Sequence, residues 1–192
     1  MILSPGRGES LRSPAARALL AVALAVSLLL GGAFLAVGRL HSSPADVLDH
    51  PSRTATDEQT RAEVVEQAKR IVIIARLQQP SAGYLLMSCK DRDDPPYQGA
   101  VYMNFVVPAG SGAVGYMQAI AAAMVGHGWH EGPRPNQHLN GKTLSKDGVT
   151  AIFYEDIDHP NHGVARLYGQ CRDMNNHRGD TTGWVNITDE LR

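Results

Sequence analysis

The segment TLSKDGVTAIFY, residues 143–154, carries the strongest hairpin signal of the chain. Asp147 and Gly148 form a dipeptide that favours a tight two-residue turn between antiparallel strands. The segment therefore predicts one strand at 143–146 and a second at 149–154.

Other strand-like runs lie on both sides of this hairpin. The sequence predicts further strands at 83–89, 99–107 and 164–171, a short strand at Trp129 and an edge strand at 184–187. The residues from Arg172 onward are otherwise polar.

Two segments predict helices. Thr56-Asp57-Glu58-Gln59 has the pattern of a capping box, with two acids at the positive end of the helix, and predicts a helix that runs to about Leu77. The run 71–74 is β-branched, so the last turns of this helix could instead be strand. Residues 112–125 carry an apolar stripe, and at about 14 residues they are too short to span a bilayer.

The order α-β-β-α-β-β-β-β predicts an α+β domain, a two-layer sandwich of a mostly antiparallel sheet with two helices on one face.

An uncharged apolar run precedes this domain. Residues 18–38 read ALLAVALAVSLLLGGAFLAVG, a length that matches the hydrocarbon core of a bilayer at 1.5 Å rise per residue. Three arginines and one acid precede the run, and Arg39 follows it. The positive-inside rule then predicts a cytoplasmic segment at 1–17, a transmembrane signal anchor at 18–38 that contacts the lipid bilayer, a linker at 39–56 and an extracytoplasmic domain at 57–192.

A cleaved signal peptide is the alternative for this N-terminal segment. Ala36-Val37-Gly38 fits a cleavage site, and cleavage would release a secreted protein, although the apolar run is longer than the ~7–15 residues typical of signal peptides. No cysteine directly follows the run, which excludes a lipid-bearing cysteine at that position.

Composition argues against nucleic-acid binding. Residues 39–192 contain fifteen Lys and Arg against eighteen Asp and Glu, without a run of cations. Nucleic-acid binding depends on clustered positive charge. We therefore expect no nucleic-acid partner.

Cys89 and Cys171 are the only cysteines. Both fall at the end of a predicted strand on the exported side of the membrane. An even pair of cysteines outside the cytoplasm favours a disulfide. Two free buried thiols are the alternative.

Six of the eight histidines lie between residues 127 and 177. His127 and His130 have HxxH spacing, as do His159 and His162, and Asp156 precedes the second pair. A metal site needs three or four ligands that converge at ~2 Å, and both pairs fall in turns that contain Gly or Pro. We expect histidines in surface loops, no metal site and no cofactor. The alternative is a metal-binding protein or hydrolase of the cell envelope that uses these five residues.

Several motifs resemble those of small exported or lipoprotein-like proteins of actinobacteria. They are SCKDRDDPPYQG with Val101 (88–101), LSKDGVTAIF (144–153), LYGQC (167–171) and GWVNITDEL (183–191). The resemblance covers roughly residues 57–192. It implies an extracytoplasmic domain clamped by a Cys–Cys pair, and it carries over no catalytic residue because the group has no assigned activity.

The sequence lacks a nucleophile elbow, a P-loop, a dinucleotide-binding glycine motif and HExxH. This favours a non-catalytic binding or accessory module of the cell envelope over an enzyme. Its partner would be an envelope protein or another envelope component.

Overall fold

The computed structural model describes residues 51, 53–90, 94–138, 140–180 and 183–192, together with Ala18, Val22, Leu24, Ser27 and Leu48. The chain divides into two compact units, Met1–Val47 and Leu48–Arg192. In the first unit, the four residues named between 18 and 27 are helical and exposed. No helix built from the described residues has the length and hydropathy needed to cross a membrane. Most of the predicted membrane helix at 18–38, the segment 1–17 and most of the linker at 39–56 lie outside the described residues.

Among its described residues from 53 onward, the second unit contains two helices and seven strands in an antiparallel sheet. The elements in chain order are α1 (Asp57–Ile74), β1 (Gln78–Ser88), β2 (Tyr97–Val106), α2 (Ala113–Val125), β3 (His130–Glu131), β4 (Lys142–Lys146), β5 (Val149–Glu155), β6 (His162–Tyr168), β7 (Val185–Asn186) and a 3₁₀ turn (Thr188–Leu191). The sheet order is β3-β4-β5-β6-β2-β1-β7. The predicted α+β class and antiparallel sheet are confirmed.

Both helices lie against the same face of the sheet. A Cβ added to Gly99 in β2 would approach Thr60 and Val64 of α1, within 2.6 Å and 2.8 Å. A Cβ added to Gly163 in β6 would approach Phe105 of β2 at 2.3 Å and Met117 of α2 at 2.9 Å. The two glycines therefore mark places where each helix packs closely against the strands.

The core lies between the helices and this face. Its largest fully buried side chains include Trp129, Phe105, Phe153, Ile71, Met103, Met117, Ile120, Met124, Leu144 and Leu167. From Val101 to Val106 on β2 the burial alternates with a period of two, so successive side chains point to opposite faces of the sheet.

The N-terminus of α1 has the predicted capping box. The backbone N–H of Gln59 donates to the hydroxyl of Thr56 at 3.3 Å, and the side chain of Gln59 accepts from the backbone N–H of Thr56 at 3.1 Å. The helix ends at Ile74, three residues before the predicted end, and Arg76 adopts a φ of 49°. The β-branched run stays helical because Ile71 is fully buried against the core.

The hairpin at 143–154 forms as predicted. Asp147 and Gly148 have φ values of 50° and 83°, which match a turn with positive φ at both central residues. Strands β4 and β5 pair from Lys146↔Val149 to Lys142↔Phe153.

A disulfide joins Cys89, just after β1, to Cys171, beyond the end of β6. The two Cα atoms are 6.0 Å apart. Strand β2 lies between β1 and β6, so the bond passes over the beginning of β2, where Cys171 Sγ contacts the side chain of Gln98. It links two strands that are not neighbours in the sheet.

Candidate functional site

The candidate site is the open face of the sheet, the face opposite α1 and α2. On β2 the buried residues Met103 and Phe105 point to the helices, so Tyr102 and Asn104 point to the open face. Both are partly exposed. None of the helices among the described residues covers this face. It carries polar and aromatic side chains, whereas an apolar face would need a second layer of structure to bury it.

Five side chains form a continuous row across the open face, which we call the aromatic row. It consists of His138, Tyr154, Arg166, Tyr102 and Trp184. His138 stacks on Tyr154, with ring centroids 3.6 Å apart and planes within 7°. The guanidinium carbon of Arg166 lies 5.5 Å from the Tyr154 ring centroid and 5.4 Å from that of Tyr102. Tyr102 lies 6.1 Å from Trp184, centroid to centroid. These contacts hold the five side chains next to one another in a preorganised row.

The charge of Arg166 is set by its neighbours. Burial disfavours the guanidinium, but the hydroxyl groups of Tyr154 and Tyr168 outweigh it and raise the pKa of Arg166. Burial also raises the pKa of Tyr154. Burial and the nearby cation Arg166 together lower the pKa of His138. The row therefore carries one fixed cation between neutral rings at neutral pH.

Trp184 lies beside the sheet edge because the C-terminal tail is anchored around it. Ile187 and Leu191 are buried, and the backbone N–H of Ile187 donates to Ala82 of β1 at 2.9 Å. A Cβ at Gly83 would approach Trp184 Cβ at 3.2 Å, so the glycine lets the indole lie close over β1. Trp184 itself remains 53% exposed.

Two adjoining hollows run along the open face. The larger has a volume of about 370 Å³ and is lined by Ser81, Ala82, Gly83, Tyr102, Asn104, Trp184, Asn186 and Thr188. The second, about 280 Å³, is lined by Tyr102, Asn104, Asp156, His159 and His162. Because they share Tyr102 and Asn104, we treat them as one structure, the open-face groove.

The loop at the second hollow is fixed by Asp156. One oxygen of its carboxylate accepts hydrogen bonds from the backbone N–H groups of Asp158 and His159, and the other pairs with His159 Nδ1 at 2.9 Å. Burial of Asp156 opposes its charged form, but the hydrogen bonds from His159 and the backbone outweigh it, so the pKa is lowered. The groove thus ends at an ionised carboxylate.

The two predicted histidine pairs do not converge. His130 is in β3 and His162 begins β6, and the strand order places them three strand spacings apart, roughly 14 Å at ~4.8 Å per spacing. His127 lies after α2 and its Nδ1 contacts the carbonyl of Ala123 at 2.9 Å. The alternative, one metal or hydrolytic site built from all five residues, therefore does not form: Asp156, His159 and His162 line the groove, whereas His127 follows α2 and His130 is in β3.

The groove offers aromatic rings on which a ligand can stack and polar side chains that can form hydrogen bonds with it. Among the hydrogen bonds between described residues, none joins a Ser, Thr or Cys side chain to an imidazole. Sequence reasoning missed Tyr102, Asn104, Arg166 and Trp184. The alternation on 99–107 could have indicated the outward-facing residues of β2, but their approach to Trp184 depends on the strand order.

Comparisons with known proteins identify relatives. A family model described as "Putative lipoprotein LppJ" matches residues 56–190. A protein named "Putative lipoprotein LppJ" from Mycobacterium bovis is 44% identical over 174 residues, which cover 88% of this chain and 89% of that protein. Proteins of the same name from two strains of Mycobacterium tuberculosis are 43% identical over the same shares. No solved structure matches.

The family match spans the whole second unit except for its first residues and its last two, and includes both cysteines and every residue of the open-face groove. The resemblance to actinobacterial lipoprotein-like proteins is confirmed. The chain belongs to the family described as "Putative lipoprotein LppJ".

Proposed function

We propose that this chain is a non-catalytic binding module of the cell envelope, and that the open-face groove binds an oligosaccharide of the envelope. One observation carries the proposal: the aromatic row and the groove lie together on the sheet face opposite both helices. This face is concave, partly exposed and built from side chains that recur in ligand pockets.

The chemistry of the groove fits a sugar. A pyranose ring has a flat face of C–H bonds, which packs on an aromatic ring, and an edge of hydroxyl groups, which needs hydrogen-bond partners. Trp184 and Tyr102 supply the rings. Asn104 and Asn186 line the same hollow and supply amide groups that both donate and accept.

The charges of the groove favour a neutral ligand. Arg166 lies over the ring of Tyr102, which lines the groove, and Asp156 lines the second hollow. A single cation does not suit a nucleic acid, which needs many phosphate contacts. One cation and one carboxylate together can instead accept and donate hydrogen bonds around a neutral polyol.

We further propose that residues 18–38 hold the domain at the membrane, with residues 1–17 in the cytoplasm and the domain outside. Support comes from the length of the uncharged run, the arginines before it and the names of the relatives, which describe those proteins as putative lipoproteins. Within these 192 residues the two cysteines are joined to each other, so neither offers a thiol for a lipid. The apolar run is then the feature of this sequence that can contact lipid.

Binding is tested by calorimetric titration of the full-length chain in detergent with the β-1,4-linked tetrasaccharide of N-acetylglucosamine and with soluble peptidoglycan fragments. We expect saturable binding by the wild type and at least a tenfold loss for Trp184→Ala, about 1.4 kcal/mol. Ile73→Ala is the matched control, because Ile73 is 73% exposed on α1. Binding unchanged by Trp184→Ala, or equally weakened by Ile73→Ala, would reject the groove as the site.

The anchor is tested separately. A reporter that is active only outside the cytoplasm is fused to the C-terminus, and membranes are extracted at alkaline pH after labelling with a radioactive fatty acid. We expect an active reporter, retention in the pellet and no label. Incorporation of the label would establish lipid attachment, and a wholly soluble protein without residues 1–38 would establish cleavage.

A further inference from the structure

A second cluster lies outside the open face, where the beginning of α1 meets the segment that follows Cys171. It consists of Asp57, Asp173 and His177, and we call it the acid–histidine cluster. Asp57 is the first residue of α1, and His177 lies four residues after Asp173. Asp57 is therefore distant from the other two residues in sequence but adjacent to them in the fold.

The potential ligand atoms of this cluster converge on one point. His177 Nε2 lies 3.4 Å from Asp57 Oδ1 and 3.7 Å from Asp173 Oδ2, and one atom from each residue lies within 4.8 Å of the others. In tetrahedral zinc sites the bonds to nitrogen and oxygen are ~2.0–2.2 Å, so neighbouring ligand atoms are separated by roughly 3.3–3.6 Å. The two separations from His177 Nε2 are close to this range.

Two of these ligand atoms are buried without a hydrogen-bond partner among the described residues. Asp173 is 0% exposed and His177 is 8% exposed. Asp173 Oδ2 and His177 Nε2 form no hydrogen bond there. Buried polar atoms are normally satisfied, and a buried carboxylate is costly without a partner. A cation between the two atoms would satisfy both.

The imidazole is held in the orientation that metal ligands use. Asp180 Oδ2 accepts a hydrogen bond from His177 Nδ1 at 2.6 Å, which leaves Nε2 directed at the two carboxylates. In metal sites the second ring nitrogen of a ligating histidine usually donates to a carboxylate in this way. The edge of the Tyr97 ring packs against the imidazole at 4.8 Å and fixes the ring plane.

The carboxylates are held as well. Asn175 binds both of them: its side chain donates to Asp57 Oδ1 at 2.6 Å and its backbone N–H donates to Asp173 Oδ1 at 3.0 Å. The second oxygen of Asp173 therefore remains directed at the cluster. Every potential ligand has a neighbour that fixes its position.

We propose that Asp57, Asp173 and His177 bind one divalent transition-metal ion such as Zn²⁺, with Asp180 as the partner that orients His177. The fourth position is filled by water on the side of Asp57, whose side chain is 46% exposed. The ion ties the N-terminus of α1 to the segment that follows the disulfide. Histidine nitrogen and aspartate oxygen are both ligands that zinc takes in proteins. The inference is independent of the proposed sugar site.

The rival account is a protonated His177 that bridges the carboxylates without a metal. The groups that face the imidazole are Asp57, Asp173, Asp180 and the Tyr97 ring. Burial of His177 opposes its charged form, but the hydrogen bond to Asp180 and the charges of Asp57 and Asp173 outweigh it, so the pKa of His177 is raised. A metal ion needs the neutral ring, whereas the bridge needs the charged ring. The two accounts therefore have opposite pH dependence.

The test uses the full-length chain without a histidine tag, purified in detergent and stripped with a chelator. It is titrated with ZnCl₂ by calorimetry at pH 7.5, and its thermal unfolding is followed with and without zinc. We expect one zinc per chain, a melting temperature raised by several degrees and binding that weakens as pH falls. Asp57→Asn and His177→Gln should each lose at least tenfold in affinity, and Asp180→Asn should lose about 10–100-fold.

His159→Gln is the control, because His159 is an exposed histidine of the groove loop. It should bind zinc like the wild type. Asp57→Asn keeps the test valid if His177→Gln fails to fold, because Asp57 lies partly exposed at the surface. No zinc binding, unchanged binding in Asp57→Asn, or a loss confined to His159→Gln would each overturn the proposal.

Discussion

The two faces of the sheet are built from the same strands but differ in burial and in the side chains that they carry. On the face toward the helices, Met103, Phe105 and Phe153 are at most 1% exposed. On the open face, their immediate neighbours Tyr102 and Asn104 line a groove. The difference arises from the pleat, because successive residues of a strand point to opposite faces.

This comparison separates stability from recognition. Burial of apolar area dominates folding free energy, so substitutions on the helix-covered face should lower stability. Partly exposed side chains on the open face remove little area from water when they fold, so substitutions there should affect binding while stability changes little. Four predictions follow, beginning with the largest expected effect, and the first and the last of them test this separation.

Phe153→Ala should cost about 3–5 kcal/mol of unfolding free energy, because it removes a fully buried aromatic side chain and leaves a cavity. Urea unfolding measured by circular dichroism gives the value. Ile73→Ala, an exposed aliphatic position on α1, is the control and should change stability by about 0.5 kcal/mol or less. A cost below about 1 kcal/mol at Phe153 would mean that this face is not the core.

Cys89→Ser should cost about 2–4 kcal/mol, because it opens the loop that the bond to Cys171 closes across 82 residues. The measurement is the melting temperature under oxidising and reducing conditions. Replacing both cysteines should cost about as much as replacing one, since either change opens the same loop. Two free thiols in the unreduced protein would contradict the disulfide.

His177 should make stability pH-dependent in the metal-free protein. The pKa of His177 is raised on folding, so the charged ring stabilises the folded state. This stabilisation is fully present below the pKa of the unfolded state, about 6.5, and is lost as the pH rises through the higher pKa of the folded state. The difference in stability between wild type and His177→Gln should therefore be larger at pH 5.5 than at pH 8.5, measured by chemical unfolding with chelator present. A difference that grows as pH rises would contradict this sign.

Trp184→Ala should have the smallest effect on stability, about 1 kcal/mol or less, because the indole is half exposed at the sheet edge. Its effect on sugar binding should be large. Measuring both in one preparation sharpens the comparison: a loss of several kcal/mol in stability would show that Trp184 belongs to the core.

Local signals in the sequence predicted local structure well. The capping box at Thr56 and the turn at Asp147-Gly148 depend on residues within four positions of each other, and both formed. Strand β1 begins at Gln78, five residues before the predicted start, and contains Pro80. The pairing with β2 shifts between Gln78 and Ser81, and this irregularity admits a proline inside the strand.

The second helix was less well predicted at its beginning. The sequence predicted residues 112–125, whereas the helix begins at Ala113, with Gly112 before it at a φ of 63° and no side chain capping its first turn. A glycine can adopt the positive φ that the entry into this helix requires.

The candidate site was predicted only where its residues are close in sequence. Asp156, His159 and His162 were recognised as a group and do line one hollow. Tyr102 and Trp184 lie far apart in sequence and meet because β7 pairs with β1 beside β2. Pairing between strands that are distant in the chain cannot be predicted from the spacing of residues in the sequence. Neither the aromatic row nor the acid–histidine cluster could therefore be found from the sequence alone.

The two tryptophans allow the central claim to be tested in one measurement. Trp129 is 2% exposed in the core, and Trp184 lies in the open-face groove. The full-length chain, labelled with 5-fluorotryptophan, gives two fluorine resonances that Trp184→Phe assigns, and peptidoglycan fragments are then added. We expect the Trp184 resonance to shift in a saturable manner while the Trp129 resonance stays in place. A stationary Trp184 resonance, or a shift of Trp129 alone, would contradict the assignment of the open face as the binding surface.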